Sequence, residues 1–230
     1  MNLSCCEEIY MTSIKDYSFF CSWSGGKDSC LALHKAIRNG GIPKALLTML
    51  TENGERTRSH GLPVDLVQCQ ADKLGIPLVV CKSSWDDYEE NFVSTIRKFR
   101  KDGIEYGVFG DIDLEPHLQW VERVCSSVGI QPYEPLWKRA RRHLLNEFLD
   151  LGFQAMIVAI KEDALDNRFL GRLLDQQVIT HIEKAGCDAS GEEGEYHTVV
   201  TAGPIYSSAI KIKTREQVRH DGYCFLDVSV

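Results

Sequence analysis

The sequence predicts an α/β protein: a parallel, doubly wound sheet with helices on both faces, followed by a smaller C-terminal α+β subdomain. Three observations predict it. Short apolar runs alternate with runs of helical periodicity from residue 17 to residue 129. A turn rich in glycine and serine, SWSGGKDSC (22–30), separates the first strand-like run from the first helical one. Past two prolines, at 132 and 135, the alternation changes and the chain ends in strand-like runs. Strand–helix–strand order calls for parallel pairing, because parallel strands need a long crossover connection. Strand twist makes those crossovers right-handed.

The elements follow in order. Residues 17–22 (YSFFCS) are short, aromatic and apolar, and read as the first strand. Residues 30–39 read as a helix stopped by Gly40 and Gly41. KALLTMLT (44–51) is the second strand, and Val64, Val67, Ala71 and Leu74 then recur at helical spacing. PLVVCK (77–82) is the third strand. The next helix carries Tyr88, Phe92, Ile96 and Phe99 on one face, with Ser84-x-x-Asp87 expected as its N-terminal cap. IEYGVFG (104–110) is the fourth strand, and 117–129 a further helix.

The prolines of IQPYEPLW (130–137) punctuate the chain and set a boundary there. The expected organisation is an N-terminal extension (1–16), a nucleotide-binding domain (17–130) and a C-terminal substrate-binding subdomain (131–230). In the last part, 141–152 reads as helix, 153–160 as strand and 165–186 as one long helical region. HTVVTAG (197–203), SAIKIKT (208–214) and YCFLDVSV (223–230) are strand-like, with Asp221-Gly222 a hairpin turn.

Composition narrows the class. With 230 residues, 43% hydrophobic and 26% charged, the chain is of ordinary globular composition and long enough for a sizeable core. A net charge of −7 argues against general nucleic-acid binding. The nine cysteines contain no Cys-x-x-Cys pair, which excludes zinc-ribbon and dithiol-redox spacings. Most read as small buried hydrophobes of a reducing compartment. No run approaches the ~18 apolar residues of a membrane span. MNLSCCEEIY lacks the basic and apolar regions of a secretory leader. A cytoplasmic protein is expected, with Met11 as an alternative start.

The glycine-serine turn carries the strongest chemistry. Glycines let a backbone approach an anion closely, and a helix N-terminus attracts phosphate. Ser24 and Ser29 add hydroxyl donors and Lys27 a positive charge. Asp28 is unfavourable beside phosphate unless it helps hold a cation or fixes the loop. The turn lacks the Walker A and Rossmann glycine patterns. The bland alternative is a Gly-Ser turn with no ligand.

What remains, Ser-Gly-Gly-x-Asp-Ser, resembles the pyrophosphate loop of the N-type ATP pyrophosphatases, whose sheet is of the adenine-nucleotide alpha-hydrolase kind. Three further stretches, at 55–78, 107–137 and 187–198, make the chain from 17 to 210 similar to the diphthine–ammonia ligase family. The Gly-Asp-Ile at 110–112 and GEEGEYHT at 191–198 are the most specific.

That resemblance implies an amide ligase. ATP adenylylates a carboxylate, and ammonia displaces AMP; Mg²⁺ accompanies ATP through phosphate oxygens, and no separate protein metal site is expected. Carried over by position, Ser24, Gly25, Gly26, Lys27, Asp28 and Ser29 form the pyrophosphate loop. Gly110 and Asp111 face the nucleotide crevice, and His60 and Gly61, with Arg58 and Ser59, match the family's Ser/His-Gly region. Glu192, Glu195, His197 and Thr198 are the catalytic candidates, suited to a cationic substrate or to proton transfer. The implied acceptor is diphthine on elongation factor 2, and a homo-oligomer is compatible.

Plainer readings stand beside these. Asp111 would cap a helix, residues 58–61 would lead into one, and 191–198 would be a polar loop before a strand. WKRARRH (137–143) would be a solvated helix face or contact an anionic partner, and Trp137 would line the substrate entrance or the core. The alternatives for function are the same ligation on another carboxylate, as a bacterial owner would imply, and a non-catalytic ATP-binding sensor of the universal-stress type. tRNA thiolation lacks its usual cysteine pair here.

Overall fold

A computed structural model of the chain describes residues 13–230. Most of the expected extension, Cys5, Cys6 and the alternative start at Met11 lie outside the described residues. The chain forms two compact units that interleave in sequence. The first comprises the residues up to Trp23, Asp28–Gly54 and Ile76–Arg139; the second comprises Ser24–Lys27, Glu55–Gly75 and Ala140–Val230.

The first unit is built on strands β1 (Ser18–Ser22), β2 (Ile42–Leu50), β3 (Leu78–Lys82), β4 (Tyr106–Val108) and β5 (Gln131–Tyr133), in the order β3-β2-β1-β4-β5. Every pairing is parallel. Strand order reverses at β1, so a crevice is expected beyond the carboxyl ends of β1 and β4. Helices α1 (Lys27–Arg38), α3 (Tyr88–Lys101) and α4 (Glu115–Ser126) connect the strands.

The core of this unit is aromatic. The Phe20 ring lies 5.3 Å from Phe99, 5.8 Å from Phe109 and 6.3 Å from Phe92. Gly107 on β4 makes room for it, since a Cβ there would sit 2.8 Å from the Phe20 ring. Leu47, Ile96, Val121 and Val124 belong to the same cluster.

Two expectations change in this unit. The stretch read as punctuation carries β5. Pro132 is tolerated because β5 is an edge strand, where a missing N–H breaks no ladder bond on the open side. The Ser84–Asp87 box closes, with Ser84 N and Oγ donating to Asp87 Oδ1 at 2.6 and 2.8 Å. It closes in the loop ahead of α3, however, and Asp87 gives the helix no side-chain cap bond.

The second unit holds α2 (Val64–Leu74), α5 (Arg141–Asp150), α6 (Gln176–Lys184) and an antiparallel sheet of β6 (Gln154–Lys161), β7 (Tyr196–Ala202), β8 (Lys213–His220) and β9 (Tyr223–Ser229). The sheet order is β7-β6-β9-β8. Asp221 and Gly222 have φ of 49° and 77°, the two positive values of a type I′ hairpin turn.

The long helical region expected at 165–186 is divided. A 3-10 turn at Asn167–Phe169 is followed by an extended Leu173 bridged to Met156. Only Gln176–Lys184 is helix, capped by Asp175 accepting from Val178 N at 2.7 Å. The strand expected at 208–214 begins only at Lys213. Ile210 is buried there as an isolated anchor, its amide bonded to Thr201 O at 2.7 Å. None of the seven cysteines among the described residues forms a disulfide, and Cys21, Cys30, Cys125 and Cys224 are buried. Among the described residues no helix is long and apolar enough to cross a membrane.

Candidate functional site

In the second unit, β7 backs the loop Ser24–Lys27. Gly25 has φ 81°, a conformation that L side chains rarely adopt. Its carbonyl accepts from Val200 N at 2.9 Å and from Gln70 Nε2 at 3.0 Å. The same Gln70 nitrogen donates to Val200 O at 2.8 Å, so one buried amide side chain on α2 ties loop and strand together. Thr198 Oγ1 accepts the Lys27 N–H at 3.1 Å. The Thr198 carbonyl lies 2.9 Å from His60 Nδ1. A carbonyl only accepts, so that ring nitrogen carries a proton. A Cβ on Gly26 would overlap His60 Cε1 and approach Thr198 O to 3.2 Å.

Two of the loop's amides are therefore engaged within the protein, Lys27 N with Thr198 and Gly26 N with Ser24 Oγ at 3.2 Å. The field of the α1 N-terminus and the Lys27 ammonium group then carry more of any attraction for an anion. Lys27 Nζ is buried, 3.9 Å from Glu192 Oε1 and 5.8 Å from the centre of the Tyr196 ring.

The acidic loop before β7 is held by its own carboxylates. Glu195, 7% exposed, accepts from Asp188 N at 3.1 Å with one oxygen and from Glu193 N at 3.0 Å with the other. Asp188 accepts from Ser190 N and Glu192 N, both at 3.1 Å, and from the Arg141 guanidinium at 2.8 Å. Glu195 thus occupies the place of a loop-organising group, while Glu192 extends to Lys27. His197 stacks 4.7 Å from His60 and 5.7 Å from Tyr223. Burial, then the neighbouring His60 and Lys27, lower its pKa to about 3. The ring is neutral at physiological pH and fit to donate or accept one hydrogen bond, not to carry charge. Gly61 packs beside Phe225, and its carbonyl accepts from Arg56 at 2.9 Å. Arg58 is partly buried and Ser59 exposed.

In the first unit, Asp28 and Ser29 open α1 against the end of β4. A Cβ on Gly110 would lie 2.9 Å from both Asp28 C and Ser29 N, so glycine is what allows this backbone approach. Asp111 Oδ1 lies 3.0 Å from His117 Nδ1. It does not cap the helix: α4 starts at Glu115 with no side-chain cap bond. Trp137 belongs to the buried set, with the Lys138 ammonium 4.8 Å from its ring centre. The basic run is largely spent on pairs: Lys138 with Glu115 in this unit, and Arg141 with Asp188 and Arg142 with Glu183 in the other.

Four residues of these sites escape sequence reading. Gln70 and Tyr223 sit where periodicity assigns ordinary helix and strand positions. Asp188 precedes the recognised motif. Glu134, between two prolines, is a carboxyl buried in the first unit. For Glu134 the signal was present, an acid inside the apolar run YEPLW.

Residues 19–132 match the diphthamide synthase N-terminal domain and residues 140–230 the diphthamide synthase C-terminal domain. The chain is 27% identical to the diphthine–ammonia ligase of Homo sapiens, over 90% of this chain and 86% of that one. It is 24% identical to the diphthine–ammonia ligase of Schizosaccharomyces pombe, over 89% of this chain and 38% of that one. Among solved structures it is similar to a "predicted subunit of tRNA methyltransferase" from Methanocaldococcus jannaschii, at 16% identity and a TM-score of 0.45, over 82% of this chain and 98% of that one. With both domain descriptions matched in sequence and in order, the chain belongs to the diphthamide synthase family.

Proposed function

We propose that the chain is an ATP-dependent, carbon–nitrogen bond-forming ligase of diphthamide synthesis. It activates the carboxylate of diphthine on elongation factor 2 as an adenylate and converts it to the amide with ammonia. The observation that carries the reading is the loop at 24–29. Its glycines stand where no side chain fits, at the start of a helix and after the first strand of a parallel sheet. The names of the curated relatives support the acceptor and the nucleophile.

The roles follow from the chemistry. A carboxylate is a poor electrophile until its oxygen becomes a leaving group. The loop holds the β and γ phosphates as they depart, through the helix field and Lys27. Thr198 and His60 keep the loop in shape, and Glu192 sets the position of the Lys27 ammonium group. Gly110 lets the Asp111 loop lie against Asp28 and Ser29. Mg²⁺ would enter with ATP, bound through the phosphate oxygens that are its ordinary ligands. When bound, it offsets charge on the departing phosphates. The reaction belongs in the cytoplasm, where translation factors reside.

The test is incubation with ATP, ammonium and diphthine-bearing elongation factor 2, followed by mass spectrometry of the factor. The expected result is conversion of acid to amide, with AMP and pyrophosphate released only when acceptor and ammonium are both present. Nucleotide binding without either product would identify a sensor instead. Amide formed only on a small carboxylate would change the acceptor.

A further inference from the structure

Glu134 follows β5, at the carboxyl end of the parallel sheet, and is 5% exposed. Among the described residues no hydrogen bond of good geometry reaches either of its carboxyl oxygens, the Asp111 amide being the donor that approaches them. Buried polar groups are nearly always satisfied, so two orphaned oxygens on one acid call for a reason. The titratable groups that face it are Asp111 on the connection after β4, Glu122 and Cys125 on α4, and Cys21 on β1. None of these four is a cation. The segment is held in place by its backbone: Phe109 N donates to Tyr133 O at 3.1 Å, and Lys138 N donates to Ile112 O at 2.7 Å. Asp111 is one residue from Gly110, whose backbone lies against Asp28 and Ser29. The acid pair therefore adjoins the second half of the phosphate loop, within the same unit.

We propose that Glu134 and Asp111 form the pocket for the ammonium co-substrate, and that Glu134 takes the proton that turns ammonium into a nucleophile. This rests on the ligase reading given above. Ammonium is a compact cation made of hydrogen-bond donors, which is what two orphaned acceptors and a neighbouring carboxylate require. Mg²⁺ suits the place less well, since it retains several waters and demands octahedral oxygens. Burial, then Asp111 and Glu122, raise the Glu134 carboxyl well above the usual carboxylate range, although the Asp111 amide opposes this. The raised pKa favours the neutral acid in the free protein, and an arriving cation favours release of that proton to solvent.

The steps balance. Ammonium passes one proton to the Glu134 carboxylate. The nitrogen lone pair forms the C–N bond to the acyl carbon of the adenylate. The C–O bond breaks, and its electron pair leaves on AMP. The nitrogen sheds its second proton to solvent, and Glu134 is again a neutral acid.

The experiment compares wild type with Glu134→Gln in amide formation at pH 7, varying ammonium and ATP separately. A parallel assay uses hydroxylamine, which is uncharged at that pH and needs no proton removed before attack. The expected result for Glu134→Gln is a KM for ammonium raised tenfold or more, a KM for ATP within twofold, and hydroxamate formation within threefold of wild type. Asp111→Asn is read in the same assays, and is expected to raise the ammonium KM if Glu134→Gln fails to fold. An unchanged ammonium KM in folded variants overturns the inference alone. So does loss of hydroxylamine and ammonium turnover together, which marks a structural role. No amide from wild type overturns the ligase reading, and this inference with it.

Discussion

The amide of Lys27 donates to Thr198 Oγ1 at 3.1 Å, a bond within the second unit between residues 171 positions apart that ties the glycine loop to β7. Thr198 is buried, so an unpaired Lys27 N–H would find no ready substitute. Thr198→Val keeps the shape and removes the acceptor. It is expected to cost about 1–3 kcal/mol, the usual penalty for stranding a buried donor. Thr198→Ser is expected to retain most of the wild-type stability. Urea unfolding of the two variants, with ATP KM measured alongside, checks this; equal midpoints for Val and Ser would contradict it.

Gly110→Ala brings a Cβ to 2.9 Å from backbone atoms of Asp28 and Ser29, which have no side-chain freedom with which to yield. Forcing atoms into such a contact typically costs about 1–3 kcal/mol. The expected outcome is a lower Tm and at least a tenfold loss of kcat/KM for ATP. Gly186→Ala is the comparison: no atom lies within 4 Å of its Cβ, but its φ of 83° confines the effect to local strain. Gly186→Ala should lower Tm without moving the ATP parameters.

Glu195 reads in sequence as a catalytic acid, yet both its oxygens serve backbone amides. Glu195→Ala removes the acceptor of two part-buried N–H groups, each costing at most about 1–3 kcal/mol. The variant is expected to lose stability first and activity with it. Glu195→Gln retains one acceptor oxygen and should fall between. Full stability in Glu195→Ala, with only turnover lost, would restore the catalytic assignment.

His197 makes stability depend on pH. Its pKa is about 3 in the fold and 6.5 in the unfolded chain. Between those values the unfolded chain binds a proton that the native one does not, so stability falls as pH drops through the window. The size is of the order of a few kcal/mol, at 1.36 kcal/mol for each pKa unit. Glu134 acts in the opposite sense: its raised pKa contributes stability that is lost as pH rises above the ordinary carboxylate value. His197→Phe keeps a ring against His60 and Tyr223 and removes only the first effect. Going from pH 7 to pH 4.5, this variant is expected to lose less stability, or to gain more, than wild type, as read from denaturant midpoints.

Much of the architecture was legible because periodicity and glycine placement are local signals. The β1–loop–α1 unit, the alternation through α4 and the Asp221-Gly222 turn all rest on nearest-neighbour chemistry. Strand order is not local. That β1 lies between β2 and β4 follows from packing around Phe20, which no window of sequence displays. Pro132 concealed β5, because proline is compatible with a strand only at an edge, and being an edge is a property of the whole sheet. The Ala209–Ile212 alternation looked like strand, although Ile210 anchors alone. The loop residues were identifiable as a set, but the division between Glu192, which reaches Lys27, and Glu195, which stitches its own loop, is settled by individual oxygens.

Among the described residues strand β8 pairs on one side only, with β9, and every one of its residues is exposed. It carries Lys213, Arg215, Glu216 and Arg219 along that open border. An unpartnered strand invites a neighbouring molecule to extend the ladder, and charged side chains discourage this. Concentrated solutions of the protein gain colloidal protection from that row, so engineering for crystals or reporters is better directed at other surfaces than at neutralising it.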